Sequence, residues 1–127
     1  MEEYFKPRIE IVENKITLWN RKTFFQRLIS KNKWSEEDFC DEIEKIFHLD
    51  VLDQIKTKDD FNIYLKYFLN YHKALTNELF FSITEKLLMS NHLNPKVEIV
   101  LKEFIKAKKE SLKYHEQSLN LINELIK

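Results

Sequence analysis

Glycine is absent from this chain of 127 residues, and proline occurs only twice. Turns that need a positive φ must then fall to Asn or Asp, and glycine-built β-hairpins are excluded. The same absence removes the glycine-rich loops that cradle phosphates and the Gly-x-Ser-x-Gly elbow of a nucleophilic serine. Cysteine occurs once, as Cys40. No internal disulfide can form, which fits a reducing compartment, and no Cys-x-x-Cys pair is present. No window approaches the roughly 18 apolar residues of a membrane span, and the charged first fifteen residues hold no signal-peptide core. A cytoplasmic protein with no membrane partner is expected. The Lys-, Asn-, Ile- and Phe-rich wording fits an AT-rich coding sequence of bacterial or phage type.

Hydrophobic residues make up 43% of the chain and aromatics 13%. That is ample for a core and too much for a disordered chain. No repeat or low-complexity segment interrupts it, and a single helical domain over residues 1–127 is expected. Residues 1–16 carry mixed signals. Ile9 and Ile11 alternate with charges as in an extended arm, whereas Pro7 suits the opening of a helix.

Beyond that point the apolar spacing is helical. Leu18, Phe24, Phe25, Leu28 and Ile29 predict a helix over 18–31. Ser35, with Asp38 three residues on and Glu36 and Glu37 between them, opens a second over 36–48. Residues 50–56 suggest one further short turn. Thr57 caps the next helix, followed by Asp59 and Asp60, and no strong breaker follows before Asn91. Within 58–91 the side chains of Phe61, Tyr64, Leu65, Phe68, His72, Leu75, Leu79 and Ile83 share about 100° of arc. Ile63, Tyr67, Ala74, Phe81 and Leu88 lie opposite. A helix apolar on both sides is buried on both sides, in a core or against a second copy, so a homodimer is left open. A break near Thr76 and Asn77 is left open too. Asn94 and Pro95 start the last helix, 95–126. The predicted fold is all-α: a helical bundle on a long antiparallel α-hairpin, 58–91 with 95–126, carrying two shorter N-terminal helices, 18–31 and 36–48.

Net charge is zero but unevenly spread. Residues 1–34 carry eight Lys/Arg against four Glu, and residues 35–60 carry ten Asp/Glu against three Lys. The acidic stretch is the clearest functional clue. It predicts a surface of Glu36, Glu37, Asp38, Asp41, Glu44, Asp50 and Asp53, joined by Asp59 and Asp60, that steers toward a basic partner protein, with Trp34 as an anchor. The expected function is non-enzymatic: an inhibitor, immunity protein, adaptor or small subunit.

Two other readings have residues to support them. Arg21, Lys22, Arg27 and Lys31 form a basic strip on 18–31 suited to nucleic acid. The helix that follows is acidic, and a recognition helix must approach phosphates. His72 and His115 lie about equally far from the turn near residue 93 and would face each other across the predicted hairpin. A bundle metal site adds carboxylates, often as Glu-x-x-His, and that motif is missing. No metal or other cofactor is expected. Cys40 sits among acids that suppress the thiolate, which points to a structural thiol.

Overall fold

The computed structural model describes residues 1–31 and 33–126. All regular structure among them is helical. Residues Met1–Phe80 form one compact unit and Phe81–Lys127 a second. No helix among the described residues is long and apolar enough to cross a membrane.

The first helix, α1, spans Glu2–Arg21 and takes in the residues whose signals conflicted. Phe5, Ile9, Val12, Ile16 and Trp19 recur at intervals of four and three, a helical stripe. Phe5, Ile9 and Val12 are buried, whereas Ile11, which suggested strand alternation, is exposed. Pro7 sits early in the helix, where its missing N–H forgoes one bond to Glu3.

The predicted helix 18–31 is broken. α1 stops at Arg21, Lys22 is extended, and α2 begins afresh as Phe24–Ile29. Thr23 and Gln26 form a reciprocal capping box: Gln26 N–H donates to Thr23 Oγ1 at 3.2 Å and Thr23 N–H donates to Gln26 Oε1 at 2.9 Å. Satisfying those donors locally starts a new helix instead of extending the old one.

α3 is Glu36–Ile46, opened as expected by Ser35 and Asp38. α4 is the short Leu49–Leu52. α5, Lys58–Tyr71, is capped by Thr57, whose Oγ1 accepts from Asp60 N–H at 3.1 Å. The run 58–91 is not one rod. A 3-10 turn at His72–Ala74 and an extended Leu75 end α5, and α6 restarts as Asn77–Leu88. The Thr76 hydroxyl, accepting from Leu79 N–H at 3.3 Å, supplies the new cap. α7, Pro95–Ile126, starts where Asn94 Oδ1 accepts from Lys96 N–H at 2.9 Å.

The core of the first unit is aromatic. The Phe5 ring lies 5.2 Å from Phe47, 5.5 Å from Tyr64 and 5.0 Å from Tyr67, centroid to centroid. Tyr64 continues to Phe68, and Phe68 to Phe80, in near-parallel stacks. α3 packs on α1 and on the 3-10 turn. In the second unit Ile83, Thr84 and Leu87 of α6 and Leu101 of α7 are buried, and the Lys109 ammonium lies 6.0 Å from the Phe81 ring centre.

Tyr64 is fully buried, and its hydroxyl has no hydrogen-bond partner among the described residues. A buried unpaired hydroxyl costs about 1–3 kcal/mol of desolvation. Tyr64→Phe is therefore expected to stabilise the protein by about 1 kcal/mol and raise Tm by roughly 3–5 °C in a calorimetric scan. A lowered Tm would mean that the hydroxyl is paired.

Candidate protein-docking face

α3 is held by its own acids. Asp38 is taken up in the cap, accepting from Ser35 N–H at 2.8 Å. Glu42 pairs with Lys15 of α1 at 2.8 Å. Glu44 accepts from the Thr76 hydroxyl at 2.7 Å, tying α3 to the start of α6. Glu36, Glu37 and Asp41 are exposed. Cys40 is half-buried; burial and then Glu36 and Asp41 push its thiol up, away from the reactive thiolate.

Asp41 and Glu44 open onto a groove of about 520 Å³ shared with Lys45, Phe47, His48, Leu49, Asp50 and Leu79. Leu49 and Leu79 supply apolar surface, over the fully buried Phe47. Asp41, Glu44 and Asp50 set three carboxylates on its rim against the ammonium of Lys45. Apolar surface with a few polar groups is the ordinary make-up of a binding cleft. Asp53, the C-cap of α4, is exposed and outside the groove lining. Asp59 is exposed, and Asp60 turns back onto the chain, accepting from Lys56 N–H at 3.3 Å. That bond, ahead of the contacts with Thr57, holds the Asp60 carboxyl below its usual range.

The charge blocks of the sequence are not segregated in space. Lys31 and Lys33 share a cleft with Trp34, Asp38, Asp41 and Glu42. Trp34 is half-buried, with the Lys15 ammonium 5.8 Å from its ring centre. It faces a neighbouring cleft with Trp19, Glu36 and Phe39. Sequence reading missed the contributions of Phe47, His48, Leu49 and Leu79. Only the tertiary fold brings Leu79 beside α3, and no local pattern carries that information.

This chain matches no protein-family model, curated protein or solved structure.

The basic strip is divided. Arg27 donates to the carbonyls of Trp19 at 3.3 Å and Asn20 at 3.1 Å. Lys22 donates to the Ser30 hydroxyl at 3.2 Å. Both cations lie near the Trp19 ring, at 5.8 and 5.2 Å from its centre. Arg21 and Lys31 are exposed. His72 is half-buried, with Nδ1 2.8 Å from the Leu69 carbonyl and its ring against Phe80. His115 is exposed on α7. Among the described residues no three His, Cys, Asp or Glu side chains gather as a metal site would require.

Proposed function

We propose that this chain is a non-enzymatic binding protein of the inhibitor, immunity, adaptor or small-subunit kind. It docks a basic partner protein on the groove between α3 and the start of α6. The observation that carries this reading is the groove itself, apolar inside and rimmed by Asp41, Glu44 and Asp50. Apolar surface supplies the affinity of such a contact, and the carboxylates select a cationic partner and speed its approach. Glu36 and Glu37 extend the negative field along α3, and Asp53 along α4. The engaged acids serve a second purpose: Glu42 to Lys15 and Glu44 to Thr76 hold the face rigid, which lowers the entropy lost on docking.

The test is charge reversal. Glu37→Lys, Asp41→Lys and Glu44→Lys together are expected to abolish recovery of a basic host protein that wild type captures. High salt is expected to weaken the wild-type capture. Recovery of the same protein at full yield by the triple variant would refute the reading. Asp41→Lys with Asp50→Lys, both at exposed positions, keeps the test decisive if loss of the Glu44 to Thr76 bond weakens the fold.

A further inference from the structure

α2 is mounted with its apolar face outward. On a helical projection Phe24, Leu28, Phe25 and Ile29 occupy about 140° of arc, and Gln26 and Arg27 lie opposite. In most surface helices the apolar side meets the core. Here the polar side is the attached one, through Arg27 to the carbonyls at the end of α1. Phe24, Phe25, Leu28 and Ile29 are 72%, 76%, 55% and 81% exposed. The result is a protruding apolar knob, with Arg21, Lys22 and Arg27 at its base. Residues 14–35 contain no Asp or Glu. Scattered surface apolar residues need no explanation, but four large ones together on a two-turn helix mark a contact site.

The same compact unit carries the complement: a recess of about 520 Å³ with Leu49 and Leu79 inside, over the buried Phe47, and Asp41, Glu44 and Asp50 on the rim. Knob and groove match in shape class and are opposite in charge. The knob is exposed, so it does not fill its own groove. We infer that the α2 knob of one copy docks in the α3 groove of a second copy, so that the protein self-associates head to tail. This rests on the groove being a docking site, as proposed above. Such a contact is heterologous: it uses two different patches and produces rings or open chains. The recess takes roughly one or two aromatic side chains. A contact this small is weak, with Kd on the order of 10–100 µM. A basic partner entering the groove displaces the knob, so assembly and partner docking compete.

A bilayer would also meet an apolar knob ringed by cations. The groove decides between them here, because a bilayer gives no reason for an acid-rimmed apolar recess on the same unit.

Sedimentation equilibrium on the full chain tests this from about 10 µM to 1 mM, the range that brackets that Kd. Wild type is expected to gain mass with concentration, and less so in high salt. Phe25→Ser with Ile29→Ser is expected to weaken association roughly 30-fold, as for loss of a buried anchor. Asp41→Lys with Asp50→Lys is expected to do the same. All four positions are exposed, so circular dichroism should show the fold intact. Mixing the two variants is the sharper measurement. One keeps a working groove and the other a working knob, so the mixture is expected to give a species of two chains and nothing larger. Three results would overturn the inference: monomeric wild type throughout, undiminished association of the knob variant, or no two-chain species from the mixture. Monomeric wild type whose knob binds phosphatidylserine vesicles would assign the knob to a membrane instead. None of these results touches partner capture by the groove, which the charge-reversal variants read separately.

Discussion

Replacing Phe5 by alanine is expected to cost about 4 kcal/mol of folding free energy. Phe5 is fully buried and its ring contacts Tyr4, Phe47, Tyr64 and Tyr67, so one side chain joins α1, the end of α3 and α5. Removing it leaves a cavity walled by large rings that cannot collapse without dragging helices together. A domain holds only about 5–15 kcal/mol in total, so Phe5→Ala should leave a marginal protein. Urea unfolding followed by circular dichroism measures the loss. A cost under about 1 kcal/mol would mean that α1 does not contribute to this core. The exposed neighbour Ile11 is the control, and Ile11→Ala should change little.

Phe5 also shows where sequence reading reaches its limit. The helical class was legible because a chain without glycine has few ways to close a sheet. Helix starts at Ser35, Thr57 and Asn94 were legible because each cap is a local bond between residues two or three apart, and all three are made. α1 was obscured because the Ile9 and Ile11 alternation and Pro7 compete with the stripe of Phe5, Ile9, Val12, Ile16 and Trp19. Only burial decides which pattern is used. The break at Lys22 and Thr23 had a visible signal, Thr-x-x-Gln, but the apolar residues on either side suggest one continuous helix. The helix that restarts at the capping box leaves Phe24, Phe25, Leu28 and Ile29 exposed.

The candidate groove was legible only in part. Asp41, Glu44 and Asp50 stand out as an acidic stretch. Leu49 and Leu79 have no mark distinguishing a groove lining from ordinary core. Charge counting along the chain also overstated the isolation of the acids, because folding brings Lys15, Lys31 and Lys33 beside them. A carboxylate near an exposed lysine keeps much of its hydration but loses much of its long-range field. The effective negative surface is therefore narrower than the sequence suggests.

Alkaline solution is expected to unfold this protein between about pH 10 and 12, and the tyrosines are the reason. Burial, with a smaller contribution from Tyr4, pushes the Tyr64 hydroxyl well above its ordinary value. Burial and the hydrogen bond to Glu2, at 2.5 Å, push Tyr67 up to about 12. Burial and the hydrogen bond to Glu13 push Tyr71 higher still. In each case the folded chain holds a proton that the unfolded chain releases near pH 10. Their stabilising contribution is whole below pH 10. It is lost as pH climbs through the folded-state values, because unfolding then releases protons. One such proton is worth about 1.4 kcal/mol per pH unit, so Tyr64 alone removes about 3 kcal/mol between pH 10 and 12. Tyr67 and Tyr71 add smaller amounts, since the carboxylates that hold them are partly solvated. Urea midpoints measured at successive pH values should stay level up to pH 10 and then fall steeply, with the tyrosinate absorbance of the buried tyrosines rising only as helicity disappears, after that of the exposed Tyr114. Tyr64→Phe should make that fall shallower, in addition to raising Tm at neutral pH. Midpoints that stay level to pH 12 would show that these hydroxyls ionise freely in the folded protein, and the packing of α1 against α5 would then have to be looser than the contacts of Phe5, Tyr67 and Tyr71 imply.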